Sequence, residues 1–284
     1  MTHAFLLIGQ SNMAGRGFLR EAAPIRNQRI RMLRNGRWQM MTEPIHCDRP
    51  FAGVGPGASF AQAWCEAHPG EEIGLIPCAD GGSSMTEWMP GGALFDHAVM
   101  QARLAQRISQ IDGILWHQGE TDCPEERIAV YAEKLETMLS ALRTELSLPE
   151  TPFLIGGLGD YLPECPLHDY FVNAPRMNEV LLRFAKTHAH CCFVTAAGLA
   201  PNPDKLHFSA ASQRVFGVRY FRAFEEGRSI LEPQAGEEDI LRRQKESAEM
   251  TVEQRIALLQ SQLAEGLMTR QEYDFRMDTL ISEM

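Results

Sequence analysis

Hydroxyl, imidazole, carboxylate and paired-glycine groups in this chain fall in short segments whose residue types could do chemistry. The stretch Asp204-Lys205-Leu206-His207 sets an aspartate three residues before a histidine. From the same loop such an aspartate reaches the ring Nδ1, orients the ring and stabilises its protonated form. A surface histidine beside a helix cap has the same pattern. A serine lies just past an apolar run, Ser11 within Gly9-Gln10-Ser11-Asn12-Met13-Ala14-Gly15, where a doubly wound sheet binds ligands. Free N–H groups of a helix starting near Asn12 favour negative charge beside that hydroxyl. A serine there equally well only caps the helix. Paired glycines in Pro77-Cys78-Ala79-Asp80-Gly81-Gly82-Ser83-Ser84 let backbone N–H groups approach a ligand closely, or make a plain turn. Trp116-His117-Gln118-Gly119-Glu120-Thr121-Asp122 gathers polar side chains behind another apolar run, although Asp122 with Glu125 also suits a helix start.

Regular elements must bring these segments together. Five short apolar runs, at residues 5–9, 73–77, 113–117, 153–157 and 192–196, read as buried parallel strands. Helical stretches fall at about 58–67, 96–110, 125–146, 174–188 and 209–226. The alternation predicts an α/β fold with a mainly parallel sheet. In a flavodoxin-like strand order 2-1-3-4-5, the loops after strands one and three flank the switch-point crevice. Those loops carry Ser11 and Gln118. Residues 29–33 and 37–41 around Asn35-Gly36 read as a β-hairpin, taken as an excursion on the rim outside the main sheet.

The 284 residues, 44% hydrophobic and 23% charged, suit one large α/β domain with an extension. A net charge of −10 speaks against a broad basic surface for nucleic acid. The longest early apolar run, residues 4–8, is far short of a signal-peptide core or membrane span, so the expected location is the cytoplasm. Seven cysteines, an odd number, fit reduced thiols. Cys191 and Cys192, beside His188 and His190, lack the C-x-x-C spacing of a zinc site and read as buried thiols entering a strand.

Beyond about residue 227 the chain turns charge-rich. A linker at 232–236 leads to an expected helix at 237–264, which Gly266 ends; Thr269 and Glu272 form a capping box for the next. Leu259, Leu263 and Leu267 share a face of the first helix, and Tyr273, Met277, Leu280 and Ile281 a face of the second. The expected division is thus 1–230, the α/β domain, and 231–284, linker and helical hairpin. So small a hairpin cannot bury its stripe alone. It packs back on its own domain or joins copies into a homo-oligomer.

In order along residues 4–224, the blocks Gly9-Gln10-Ser11-Asn12-Met13, Gly53-Val54-Gly55-Pro56-Gly57, Pro77-Cys78-Ala79 with Gly81-Gly82 and Trp88, Trp116 to Asp122, and Asp204 to His207 resemble the SGNH-hydrolase superfamily. More narrowly they resemble its sialate O-acetylesterase and acetylxylan-esterase branch (carbohydrate esterase family 6-like). Gly-Gln-Ser replaces the superfamily's Gly-Asp-Ser, and the Gln118-Gly119-Glu120 group its third-block asparagine; both are usual for this branch. The resemblance implies a three-layer α/β/α fold on a five-stranded parallel sheet and a serine esterase removing O-acetyl groups from a carbohydrate. Ser11 is then the nucleophile, His207 the base and acid, and Asp204 its orienting carboxylate. The Ser11 N–H, the Gly82 N–H and the Gln118 side chain form the oxyanion hole, with the choice between Gly81 and Gly82 open. Gln10 and Glu120 are supporting residues; Glu120 either holds the site loops or shares in orienting His207. No metal or organic cofactor is implied. The C-terminal hairpin resembles short C-terminal (SHOCT-like) modules of bacterial proteins. The rival readings are a broad short-chain acyl esterase or thioesterase, and a non-catalytic sugar-binding scaffold.

Overall fold

The computed structural model describes residues 2–237, 239, 242 and 252–282. The strands are β1 (Thr2–Gly9), β2 (Ile30–Arg34), β3 (Arg37–Met40), β4 (Ile73–Pro77), β5 (Ser109–His117), β6 (Phe153–Gly156) and β7 (Cys191–Val194). They form one seven-stranded sheet in the order β3-β2-β4-β1-β5-β6-β7. Without the hairpin, this is the expected order 2-1-3-4-5, all parallel. The sheet is larger than the expected five strands because the hairpin is not a rim excursion. β2 pairs in parallel with β4, and β3 runs antiparallel to β2. Ile30, Met32 and Leu33 are buried, and burying each such side chain contributes about 1.5–3 kcal/mol, which favours extending the sheet. Asn35 and Gly36 turn the hairpin at φ 51° and 72°.

Central strands are apolar on both faces. Phe5 and Leu7 point to one layer and Leu6 and Ile8 to the other, as a period of two demands. The first layer is built by α2 (Pro56–Ala67) and α7 (Ala210–Glu226), through Phe60, Trp64, Phe216 and Tyr220. The second is built by α3 (Ala93–Ala105), α4 (Glu125–Leu146) and α6 (Ala174–Thr187), through Phe95, Leu135, Leu139, Leu181 and Phe184. Short helices α1 (Ser11–Ala14) and α5 (His168–Phe171) lie in the loops. Gly217 lets α7 meet α2 closely; a Cβ there would stand 2.1 Å from the Pro56 carbonyl oxygen. Cys191 and Cys192 open β7 and are buried, as read from the sequence.

Contacts of the α/β unit continue on both sides of the expected boundary at residue 230. Ile230 is fully buried and bridges Val194, extending the edge of β7. Farther on, Glu237 pairs with the buried Arg219, which also donates to the carbonyls of Thr195 and Ala197. The pair ties Glu237 to α7, because a buried guanidinium needs its carboxylate. Beyond it stand helices Val252–Ala264 and Arg270–Ser282. Most of the expected start of the first, residues 238–251, lies outside the described residues. Thr269 and Glu272 form the capping box. The expected stripe is only half covered: Leu259 and Leu280 are buried, while Leu267 and Ile281 are exposed.

Candidate active site

The strand ends bring the chemistry-bearing loops to one rim. β1 ends at Gly9, whose φ of 128° and 2.1 Å approach of a Cβ to the His117 carbonyl oxygen admit only glycine. Gln10 N–H then donates to that carbonyl at 2.8 Å, so the loops after β1 and β5 are tied together. Gln10 Oε1 reinforces the tie by accepting from the N–H groups of Gly119 and Thr121. Ser11 follows at the start of α1, 8% exposed.

Opposite it, the loop before α7 folds back on itself. Asp204 Oδ1 accepts from the N–H groups of Leu206 and His207, an Asx turn. Asp204 Oδ2 lies 2.7 Å from His207 Nδ1, and His207 Nε2 lies 3.0 Å from Ser11 Oγ. An acceptor at Nδ1 sets the tautomer: Nδ1 carries the proton and Nε2 presents its lone pair to the serine hydroxyl. Burial pushes the Asp204 carboxyl up, but the backbone and ring N–H groups of His207 and the Leu206 N–H outweigh it, holding the group below its ordinary value.

The paired glycines divide their work. Gly81 N–H donates to Asp48 Oδ2 at 2.9 Å, so it is not free for a ligand. Gly82, at φ 79°, donates no hydrogen bond among the described residues, and both it and Ser11 line the groove. Gln118 does not fit the expected third donor. It is fully buried, and its Nε2 donates to the Ser83 carbonyl at 3.1 Å and to Asp122 Oδ2 at 2.5 Å. Its Oε1 accepts from Tyr131 at 2.7 Å. Both amide hydrogens are spent inside the protein because Asp122, which also accepts the Met85 N–H, lies behind it.

Glu120 is 2% exposed and accepts from Asn12 Nδ2 at 2.8 Å; His117 Nδ1 is 3.6 Å away. No hydrogen bond joins it to His207 among the described residues. Asn12 Oδ1 in turn accepts from Phe208 N–H, and its carbonyl from Gln213. Asn12 and Gln213 were given no role from the sequence; Asn12 stands beside Ser11, and that adjacency was the available signal. Arg16, Asp48 and Arg49 were also missed. Arg16 and Asp48 form a buried ion pair under the glycine turn. Burial raises the Asp48 carboxyl, but Arg16 and the Gly81 N–H hold it below its usual range. Beside Asp48, His46 is buried with Nε2 unpartnered, and burial drives its imidazole down to about 4.

A groove of about 390 Å³ opens over Ser11 and His207, walled by Arg16, Arg49, Phe51, Tyr170 and Leu206. A second, of about 520 Å³, shares Arg16, Phe51 and His207 and runs past Phe18 and Leu19. Another groove, of about 560 Å³, lies elsewhere along α3 and holds none of these residues.

This centre sits in a chain with clear relatives. Residues 1–226 match the family model described as carbohydrate esterase, sialic acid-specific acetylesterase. A probable carbohydrate esterase of Arabidopsis thaliana is 30% identical over 246 residues, 78% of this chain and 89% of the relative. An Arabidopsis thaliana protein solved by X-ray diffraction superposes with a TM-score of 0.71 at 28% identity, covering 79% of this chain and 98% of that one. The crystal structure of NanS superposes at 0.65 with 18% identity, covering 80% and 97%, and so bears on the fold alone. With four-fifths of its length inside the family model and the esterase rim assembled within that span, the chain belongs to the sialic acid-specific acetylesterase family of carbohydrate esterases and is a carboxylic ester hydrolase acting on O-acetylated carbohydrate.

Proposed function

We propose that Ser11, His207 and Asp204 carry out the deacetylation as a nucleophile, base and orienting carboxylate. The observation that carries this is the continuous contact from Asp204 Oδ2 through the His207 ring to Ser11 Oγ, at 2.7 and 3.0 Å. His207 Nε2 takes the hydroxyl proton as Ser11 Oγ bonds to the acetyl carbon and the carbonyl π pair moves onto oxygen. The oxyanion is held by the N–H groups of Ser11 and Gly82, each worth roughly 2.7–4 kcal/mol of barrier. Collapse expels the sugar alcohol, which takes the proton from His207. Water, deprotonated by the same ring, then releases acetate and restores Ser11. The free state of all seven cysteines supports a reducing compartment. Among the described residues no helix is long and apolar enough to cross a membrane.

Acetate release from an aryl acetate, then from acetylated xylo-oligosaccharides, acetylated sialic acids and longer acyl esters, tests the reading. Turnover of the acetylated sugars above that of the longer esters is expected. Preference for long acyl chains would replace it with a broad acyl esterase, and no turnover of any ester with a sugar-binding protein.

A further inference from the structure

The Gly81–Gly82 peptide is held by groups that the triad and its oxyanion hole do not account for. Its N–H belongs to Gly82 and its C=O to Gly81. In a trans peptide these two groups point in opposite directions. Arg49 Nη2 donates to the Gly81 carbonyl at 2.7 Å. The guanidinium is itself fixed: Nη1 donates to the Asp48 carbonyl at 2.7 Å, and both Nη atoms pair with the Asp80 carboxylate at 3.1 and 3.2 Å. One residue earlier, the Gly81 N–H is tied to Asp48, whose carboxylate is locked by Arg16 at 2.5 Å. The Asp80 N–H is pinned to the Gly9 carbonyl at the end of β1. A Cβ at Gly81 would lie 2.3 Å from the Arg16 guanidinium, so the clamp requires glycine there. Gly82 needs glycine for its φ of 79° and faces open space.

We infer that Arg49 is a positioning residue of the oxyanion hole: it holds and polarises the Gly81–Gly82 peptide so that the Gly82 N–H faces the oxygen that becomes negative. The inference rests on the proposed roles of Ser11 and Gly82. A guanidinium N–H bound to the carbonyl end of the peptide draws electron density from its nitrogen, making the Gly82 N–H a stronger donor, although the Asp80 carboxylate offsets part of the charge. The effect grows as the oxyanion forms, so it lowers the barrier more than it improves substrate binding. Arg49 also lines the groove with its side chain 39% exposed, so the competing role is direct contact with the sugar.

The two roles separate kinetically. Wild-type protein, Arg49→Met and Arg49→Lys are compared on an aryl acetate, which has no sugar to contact. Losing an entire oxyanion donor costs about 10²–10³-fold, so misplacing one in Arg49→Met is expected to lower kcat by roughly 10–100-fold. KM should stay within about twofold. Arg49→Lys, which keeps the charge but not the fork, should lie between. The rate of Ser11 phosphonylation by an aryl phosphonate, whose P–O oxygen occupies the same hole, should fall in parallel. A kcat within twofold of wild type, a rise in KM alone, or an unchanged phosphonylation rate would each overturn the inference. Should Arg49→Met fail to fold, Arg49→Lys decides by the same criteria. Ser11→Ala is run alongside: turnover surviving there would sink the triad, whereas an inactive Ser11→Ala beside a normal Arg49→Met would sink only the role of Arg49.

Discussion

Glu120 accepts a hydrogen bond from Asn12 at 2.8 Å, with both side chains buried. Asn12 holds the N–H of Phe208, the residue after His207. Glu120 thus reaches the histidine loop through an intermediary rather than by touching the ring. A buried carboxylate used this way sets where α1 and the histidine loop meet, while of these two carboxylates it is Asp204 that contacts the imidazole. The two carboxylates left unresolved by sequence therefore have different work.

Replacing them should show it. Asp204→Asn removes the acceptor that fixes the His207 tautomer and is expected to lower kcat by up to about 10⁴-fold. Glu120→Gln keeps an oxygen for Asn12 and should cost much less in kcat, with a lowered melting temperature. Steady-state kinetics and thermal melts of both variants check this. A severe Glu120→Gln beside a mild Asp204→Asn would reverse the assignment.

Ser11→Ala deletes one hydroxyl on the rim and leaves the packing of α1 in place. Turnover of an aryl acetate should fall by about 10⁴–10⁶-fold, with the circular dichroism spectrum unchanged. Mass spectrometry after phosphonate treatment should find the adduct on Ser11 in the wild type and none in the variant. An adduct elsewhere would move the nucleophile.

His46 ties stability to pH. Its imidazole titrates near about 4 in the folded protein, chiefly because burial disfavours the charge, against roughly 6.5 in an unfolded chain. Between those values the unfolded chain binds the extra proton, so stability falls as pH drops from about 6.5 to about 4 and this contribution levels off below. The full loss is on the order of 3 kcal/mol. The lowered carboxyls of Asp48 and Asp204 act in a more acidic window, starting near their unfolded values of about 4. Urea midpoints measured from pH 4 to 7 should therefore slope in the wild type and flatten in His46→Gln. Equal slopes would remove His46 as the cause.

Truncation should distinguish the α/β unit from its tail. A chain ending after Glu237 keeps the Arg219 ion pair and Ile230 and should hydrolyse an aryl acetate within a few fold of the full protein. Ending after Ser229 strands the buried Arg219 and uncovers the edge of β7, at a cost of several kcal/mol. We propose that the exposed Leu267, Phe275 and Ile281 of the tail join copies of the chain. Light scattering should then show a smaller mass for residues 1–237. An unchanged oligomer would exclude the hairpin as its interface.

The parts of this protein written locally were readable from its sequence. The parallel strands follow from runs apolar at every position, since each must bury two faces. The relay of Asp204 and His207 lies within one turn of chain, and Ser11 sits at the end of β1, where this strand order opens its crevice. Tertiary structure decided what depends on distant partners. Residue type made Gln118 a plausible oxyanion donor, but an amide has only two hydrogens, and Ser83 and Asp122 take both. Asn12 and Glu120 meet across 108 positions, and Gly81 and Asp48 across 33. Ile30 and Met32 joined the sheet because the flank of β4 offered backbone partners and apolar cover, which the hairpin's own residues do not encode. A hydrogen bond is specified by two groups and the direction between them, and a sequence supplies the groups without the direction.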